Sequence, residues 1–128
     1  MDEETLACLY SGASAFIYPS LYEGFGLPVL EAMACGCPVI CSHAASLPEV
    51  AGDAALFIDP AEPDDLSCKI EQVVQDTTLR STLIGKGLQR AHGFSWQQTA
   101  LQTLDVFKNI SEEYGSNRTS ARKMVLNT

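Results

Sequence analysis

The sequence predicts an α/β fold: about three parallel strands with flanking helices, followed by a helical C-terminal part. Three observations predict it. Short apolar runs at Ala15 to Pro19, Pro38 to Ser42 and Ala55 to Asp59 are nearly continuous rather than alternating, as expected of parallel strands covered on both faces. Segments punctuated by glycine and proline separate them, and a rhythm of strand, helix, strand, turn and strand is that of a wound sheet. After Asp59 the apolar spacing changes to the three-and-four pattern of helices.

In chain order, residues 3 to 11 read as a short helix. It has acids in the first turn, Leu6, Leu9 and Tyr10 on one face, and Gly12 as its stop. The strand at 15–19 follows, then a loop, and Leu27 and Pro28 open a second helix that runs to about Cys35 and ends at Gly36. Pro38 is tolerated as the first residue of the second strand. A short turn at Pro48 to Ala51 leads through Gly52 and Asp53 into the third strand. Pro63, Asp64 and Asp65 suit a first helical turn, and Leu66, Ile70, Val73 and Val74 keep one apolar stripe. Asp76 caps a helix to about His92, against which Gly85 and Gly87 count. Ser95 to Gln98 has the capping-box pattern and starts a last helix to about Glu113, with Trp96, Ala100, Leu104, Phe107 and Ile110 apolar. The polar, basic stretch from Gly115 to Thr128 reads as a disordered tail, so the expected division is a domain at 1–114 and a tail at 115–128.

A length of 128 residues limits the chain to one domain, able to bury roughly two thirds of its unfolded surface. A net charge of −8, without a basic cluster in the folded part, argues against nucleic acid and anionic membrane surfaces as partners. No apolar run reaches membrane-spanning length and no signal peptide precedes Asp2, so a cytoplasmic location is expected. Five cysteines, an odd number, suit reduced thiols better than a disulfide framework.

The stretch Pro19 to Glu31 places a strand end, a glycine-bracketed loop, a helix start and two carboxylates within thirteen residues. Gly24 and Gly26 suit φ > 0 and close approach to a ligand. The N–H groups at the following helix start make a seat for an anion such as a diphosphate. Glu23 in the loop and Glu31, expected on the first helical turn, would repel bare phosphate. They are better employed accepting hydrogen bonds from hydroxyls on either side of it, which a nucleotide sugar offers. Against this stands the plainer reading of both as solvated acids near a helix N-terminus.

Glu23 and Glu31 are separated by seven residues, and the eighteen-residue run from Glu23 to Ile40 resembles the signature of retaining family 4 glycosyltransferases. The similarity continues through Leu47 to Gly52 and Phe94 to Trp96. The resemblance implies a GT-B enzyme of two Rossmann-like domains, with this chain matching the later half of the C-terminal, donor-binding one. It further implies that Glu23 contacts the transferred sugar as the catalytic carboxylate. The backbone of Gly24, Phe25, Gly26 and Leu27 would bind sugar hydroxyls and diphosphate, and Glu31 would hold the ribose hydroxyls. The donor is then a UDP- or GDP-sugar carrying a hexose, bound as substrate, with no cofactor and no metal expected. In a doubly wound sheet of order 3-2-1-4-5-6 the ligand lies at the switch between strands 1 and 4. Only strands 4 to 6 are matched here, one wall of that crevice; the acceptor domain and the basic residues that clamp the diphosphate are missing.

Other candidates carry competing readings. Cys35, Cys37, Cys41 and His43 invite a zinc site, but four strand steps separate Cys37 from Cys41 by about 13 Å, too far for one ion, and structural thiols are the better account. His43 and Glu49 lie just past the second strand, where each either borders a donor pocket or is merely solvated or capping. Trp96 is expected in the core. The alternative to a piece of an enzyme is a stand-alone, non-catalytic binding module or a subunit completed by a partner chain; Met1 fits a natural start and a boundary within a longer protein equally well. The strand at 15–19, uncharged and lacking its neighbour, is expected to pair with its counterpart in a homodimer.

Overall fold

The computed structural model describes residues 2–126. It divides into two compact units, one up to Gly93 and one from Phe94.

The first unit is a three-stranded parallel sheet, β1 (Phe16–Tyr18), β2 (Val39–Ser42) and β3 (Ala55–Ile58), in the order β1-β2-β3. Phe16, Val39 and Ala55 stand in one register row and Tyr18, Cys41 and Phe57 in another, so these six share a face. Ile17, Ile40 and Leu56, with Ser42 and Ile58, share the opposite face. Helices α1 (Glu3–Gly12), α2 (Leu27–Ala34) and α3 (Leu47–Ala51) build the first face into a core of Val29, Met33, Val39, Cys41 and Leu47. On the second, α4 (Pro63–Gln75) and the first half of α5 (Thr77–His92) pack Leu66, Ile70, Val73, Leu79 and Leu83 on Ile40 and Ile58.

The punctuation predicted from sequence acts as expected. Asp76 accepts from the N–H groups of Thr78 and Leu79 at 2.9 Å, capping α5. Helix α5 is continuous through both of its glycines. Gly87 is buried against α2, where a Cβ would lie 3.2 Å from Met33 Cγ, so the residue that weakens the helix is the one that lets α5 approach. Arg90 ties the same helix to α3, donating through Nε to the Val50 carbonyl at 2.9 Å and through Nη2 to that of Glu49.

Several expectations need correction. Strand β1 is not covered on both faces: Ile17 is 37% exposed, because α4 and α5 reach only as far as β2 and β3 on that side. Leu9 and Val74 face solvent although their helices bury Tyr10 and Val73, since each sits one position off the buried stripe. The second unit is one helix, α6 (Trp96–Leu126), begun as predicted by Ser95, whose Oγ accepts from the Gln98 N–H at 3.1 Å. It extends past Glu113 as far as Leu126. No proline follows Pro63, and Gly115 alone costs a helix only about 1 kcal/mol. Asn127 and Thr128 lie outside the described residues. Trp96, expected in the core, is 78% exposed.

Candidate functional site

The loop between β1 and α2 is held in place largely by hydroxyl groups. At the end of β2, Ser42 is fully buried, and its Oγ donates to the Ser20 carbonyl. Four residues on, Ser46 Oγ lies 3.0 Å from the Phe25 carbonyl and 3.4 Å from that of Glu23; with one hydrogen to give, it is best placed to donate to Phe25. Gly26 closes the loop in the left-handed region at φ 95°, ψ 42°, with no room for a Cβ, which would sit 2.6 Å from Leu47 Cδ2. Gly24 differs. Its φ is not positive and a Cβ there would meet nothing, so only one glycine of the expected pair is required by the backbone.

Gly26 is the N-cap of α2, and no side chain caps that end. Pro28 brings no N–H, and the Val29 N–H turns back to the Gly26 carbonyl at 3.0 Å. Gly24, Phe25 and Leu27 are exposed, so the head of α2, with its positive dipole end, opens to solvent at the carboxyl edge of the sheet. Gly26 is buried, which leaves it a conformational part. Glu31 is the fifth residue of α2 and stands on its second turn, not its first, because the helix begins at Leu27.

Each carboxylate meets a tyrosine. Tyr18, the last residue of β1, donates its hydroxyl to Glu23 Oε1 at 2.6 Å, and Ser20 Oγ lies 2.8 Å from the same oxygen. These two donors hold the Glu23 carboxyl below the usual carboxylate range, Tyr18 contributing most. The same bond, with burial second, pushes the Tyr18 hydroxyl up to about 12. At neutral pH Glu23 is therefore ionised and Tyr18 protonated. The Tyr10 hydroxyl lies 3.4 Å from Glu31 Oε2, a longer contact, and burial followed by the Glu31 charge pushes Tyr10 up. Phe16 joins the two tyrosines. Its ring is edge-on to Tyr10 at 5.2 Å and stacked on Tyr18 at 5.7 Å.

The structure thus brings Glu23 together with Tyr18 and Ser20, and Glu31 with Tyr10, along one aromatic row. The sequence reading treated Tyr10 as an apolar face residue and gave Tyr18, Ser20, Ser42 and Ser46 no role. The signal available was position: Tyr18 ends a strand at its carboxyl edge, and Ser20 is three residues before the loop acid. His43 is not drawn into this group, its exposed ring lying edge-on to Phe57 of β3 at 5.3 Å. Glu49 is exposed and its carbonyl, not its carboxylate, is engaged. Cys37 and Cys41 are buried thiols, pushed up by burial, Cys41 to about 12, and both stay protonated. Elsewhere on the same edge a largely apolar cavity of about 380 Å³ is lined by Pro19, Leu21, Ile58, Asp59, Pro63 and Leu66 among others. It contains neither acid of the signature.

An ionised acceptor beside an open helix head can bind hydroxyls and an anion together. The family model "Glycosyl transferases group 1" matches residues 1–90. Over 108 residues the chain is 50% identical to the O-antigen chain mannosyltransferase B of Escherichia coli, covering 84% of this chain and 28% of that protein. It is 39% identical over 112 residues to the MMP alpha-(1->4)-mannosyltransferase of Mycolicibacterium hassiacum, covering 84% and 27%. Sucrose-phosphate synthase from Thermosynechococcus elongatus superposes with a TM-score of 0.78 at 34% identity, over 88% of this chain and 29% of that one. The chain thus spans less than a third of the length of each of these proteins. By fold and by sequence, the chain belongs to the glycosyl transferases group 1 family and corresponds to part of the C-terminal portion of a GT-B enzyme.

Proposed function

We propose that the chain is the nucleotide-sugar-binding part of a retaining glycosyltransferase that moves a hexose, mannose on the names of its relatives, from a UDP- or GDP-sugar to an acceptor. The observation that carries this reading is Glu23: an ionised carboxylate, fixed by two hydroxyls, at the uncapped head of α2. In this reading Glu23 accepts a hydrogen bond from the transferred sugar, and the exposed main chain at Gly24, Phe25 and Leu27 faces sugar hydroxyls and diphosphate, with Gly26 shaping the loop. Glu31, one turn further along α2, takes the ribose hydroxyls. The leaving diphosphate is stabilised by main-chain donors and the helix dipole without a metal, so the chemistry asked of these residues is positioning and charge stabilisation. A cytoplasmic location goes with this reading, and the buried, unpaired Cys37 and Cys41 support a reducing compartment.

NMR titration with UDP- and GDP-mannose tests it. Shifts centred on residues 23–31, with millimolar affinity that is weakened but still measurable in Glu23→Ala and Glu31→Ala, are expected. Shifts unaffected by either substitution refute the assignment. A second reading, a binding subunit completed by a partner chain, is supported by the outer side of β1, which pairs with no strand among the described residues.

A further inference from the structure

Both hydroxyl donors at Glu23 converge on one oxygen, Oε1, and Oε2 has no hydrogen-bond partner among the described residues. The two donors are unequal. Ser20 Oγ is also 3.1 Å from the Tyr22 carbonyl and has a single hydrogen to divide between them, whereas the Tyr18 hydroxyl has Glu23 as its partner at the shorter 2.6 Å. Tyr18 cannot easily move away. Its backbone is in register with Cys41 at the end of β1, and its ring is stacked on Phe16, itself braced by Tyr10. No lysine or arginine acts on the Glu23 carboxylate among the described residues, its partners being the Tyr18 and Ser20 hydroxyls. Neutral hydroxyls therefore orient this carboxylate without cancelling its charge, which a cation would do.

We propose that Tyr18 is a positioning residue that, assisted by Ser20, fixes the Glu23 carboxylate through Oε1 and so presents Oε2, at full negative charge, to a hydroxyl of the transferred sugar. The Tyr18 side of this inference stands on the geometry alone; the sugar side rests on the function proposed above. The high value of the Tyr18 hydroxyl agrees with a permanent donor that neither gives up nor exchanges its proton near neutral pH. Ligand discrimination follows from the same arrangement. An acceptor-only oxygen rewards a hydroxyl and penalises an analogue that lacks it, because the charged oxygen then loses water and gains nothing.

The test keeps the ring and removes the hydroxyl. In the 128-residue chain labelled with ¹³C at glutamate carboxyls, the Glu23 titration midpoint is followed without ligand in wild type, Tyr18→Phe, Ser20→Ala and Tyr10→Phe. Tyr18→Phe is expected to raise the midpoint most, Ser20→Ala less, and Tyr10→Phe not at all. An unchanged midpoint in Tyr18→Phe overturns the proposal. UDP- and GDP-mannose are then titrated into wild type, Tyr18→Phe, Glu23→Ala and the double variant. Tyr18→Phe should weaken binding on the order of tenfold in the wild-type background, the scale of one charge-assisted hydrogen bond, and have no effect once Glu23 is gone. An equal loss in both backgrounds shows Tyr18 acting apart from Glu23 and overturns the positioning role. A wild-type chain that binds neither sugar nucleotide overturns the donor-binding reading and the role given to Oε2, while a shifted midpoint would still establish Tyr18 as the group that holds Glu23.

Discussion

The two faces of the sheet are finished to different degrees. On the face that carries α2, every strand is covered: Val39 and Cys41 are fully buried, and Phe16 and Tyr18 lie under α1 and α2. On the other, α4 and α5 bury Ile40 and Ile58 but leave Ile17 of β1 37% exposed. The candidate site belongs to the finished face. Tyr18 points into it because it shares the register of Phe16, Cys41 and Phe57, and that side of β1 is where α2 returns. A chain that holds less than a third of its relatives' length thus covers one face of its sheet fully, while the outer side of β1 pairs with no strand among the described residues.

The largest effect separating the faces is expected in the core. Met33 is 1% exposed and packs beneath Gly87, so Met33→Ala should cost about 2–5 kcal/mol in urea unfolding, whereas Ile17→Ala should cost about 1 kcal/mol or less. Equal losses at the two positions would break the comparison. Next comes Gly26. With φ at 95° and Leu47 in the way of a Cβ, Gly26→Ala should cost about 1–3 kcal/mol, while Gly24→Ala, with open space around it, should be close to neutral. If the two glycine variants unfold alike, the loop is not anchored at α2 in the way described.

That contrast between two glycines marks where the sequence was legible. Element ends were readable because their causes are local: Asp76 caps with its own side chain, Gly36 follows the end of α2, and Pro28 sits in the first turn. Strand existence followed from apolar runs and their spacing, whereas strand order came only with what the family resemblance implies. What could not be read depends on register and on distant partners. Nothing within ten residues of Ser42 says that its hydroxyl will meet the Ser20 carbonyl, and Gly26 differs from Gly24 in its positive φ and in having Leu47 beside it. Helical phase caused smaller errors. Beginning α2 at Leu27 moves Glu31 off the first turn, and a one-residue offset turns Leu9 and Val74 outward. For α6, composition suggested an end at Glu113, yet no proline enforces one.

A smaller effect is the pH dependence of the Tyr18–Glu23 pair. Glu23 is held low in the folded chain, so the unfolded state binds more protons near pH 4; the stabilisation is present above the ordinary carboxylate range and is lost as pH falls through the folded value. Tyr18 works at the other end. Its hydroxyl is raised to about 12, so the unfolded state loses that proton first, and stability declines as pH rises from about 10 to 12. Urea midpoints of wild type and Tyr18→Phe across both windows check this. The variant should lose both slopes in part, and parallel profiles would mean the pair is not coupled to folding.

The smallest effect concerns the unfinished face and the edge beside it. The outer side of β1 presents N–H and C=O groups with no strand beside them among the described residues, and Phe16, Ile17 and Tyr18 carry no charge that would discourage pairing. Two copies meeting about a two-fold axis would pair β1 antiparallel and make a continuous six-stranded sheet. Strand length limits the gain. Three residues form few ladder bonds, and an interface of this size falls among weak encounters, so dissociation is expected at roughly hundreds of micromolar. The half-exposed Ile17 side chain adds apolar area across the axis, and a lysine there would place like charges opposite one another. Sedimentation of wild type over a concentration series should therefore show a weak dimer that Ile17→Lys abolishes. A wild type that stays monomeric at millimolar concentration sinks edge pairing, and a dimer indifferent to the lysine moves the interface to another surface and leaves β1 open.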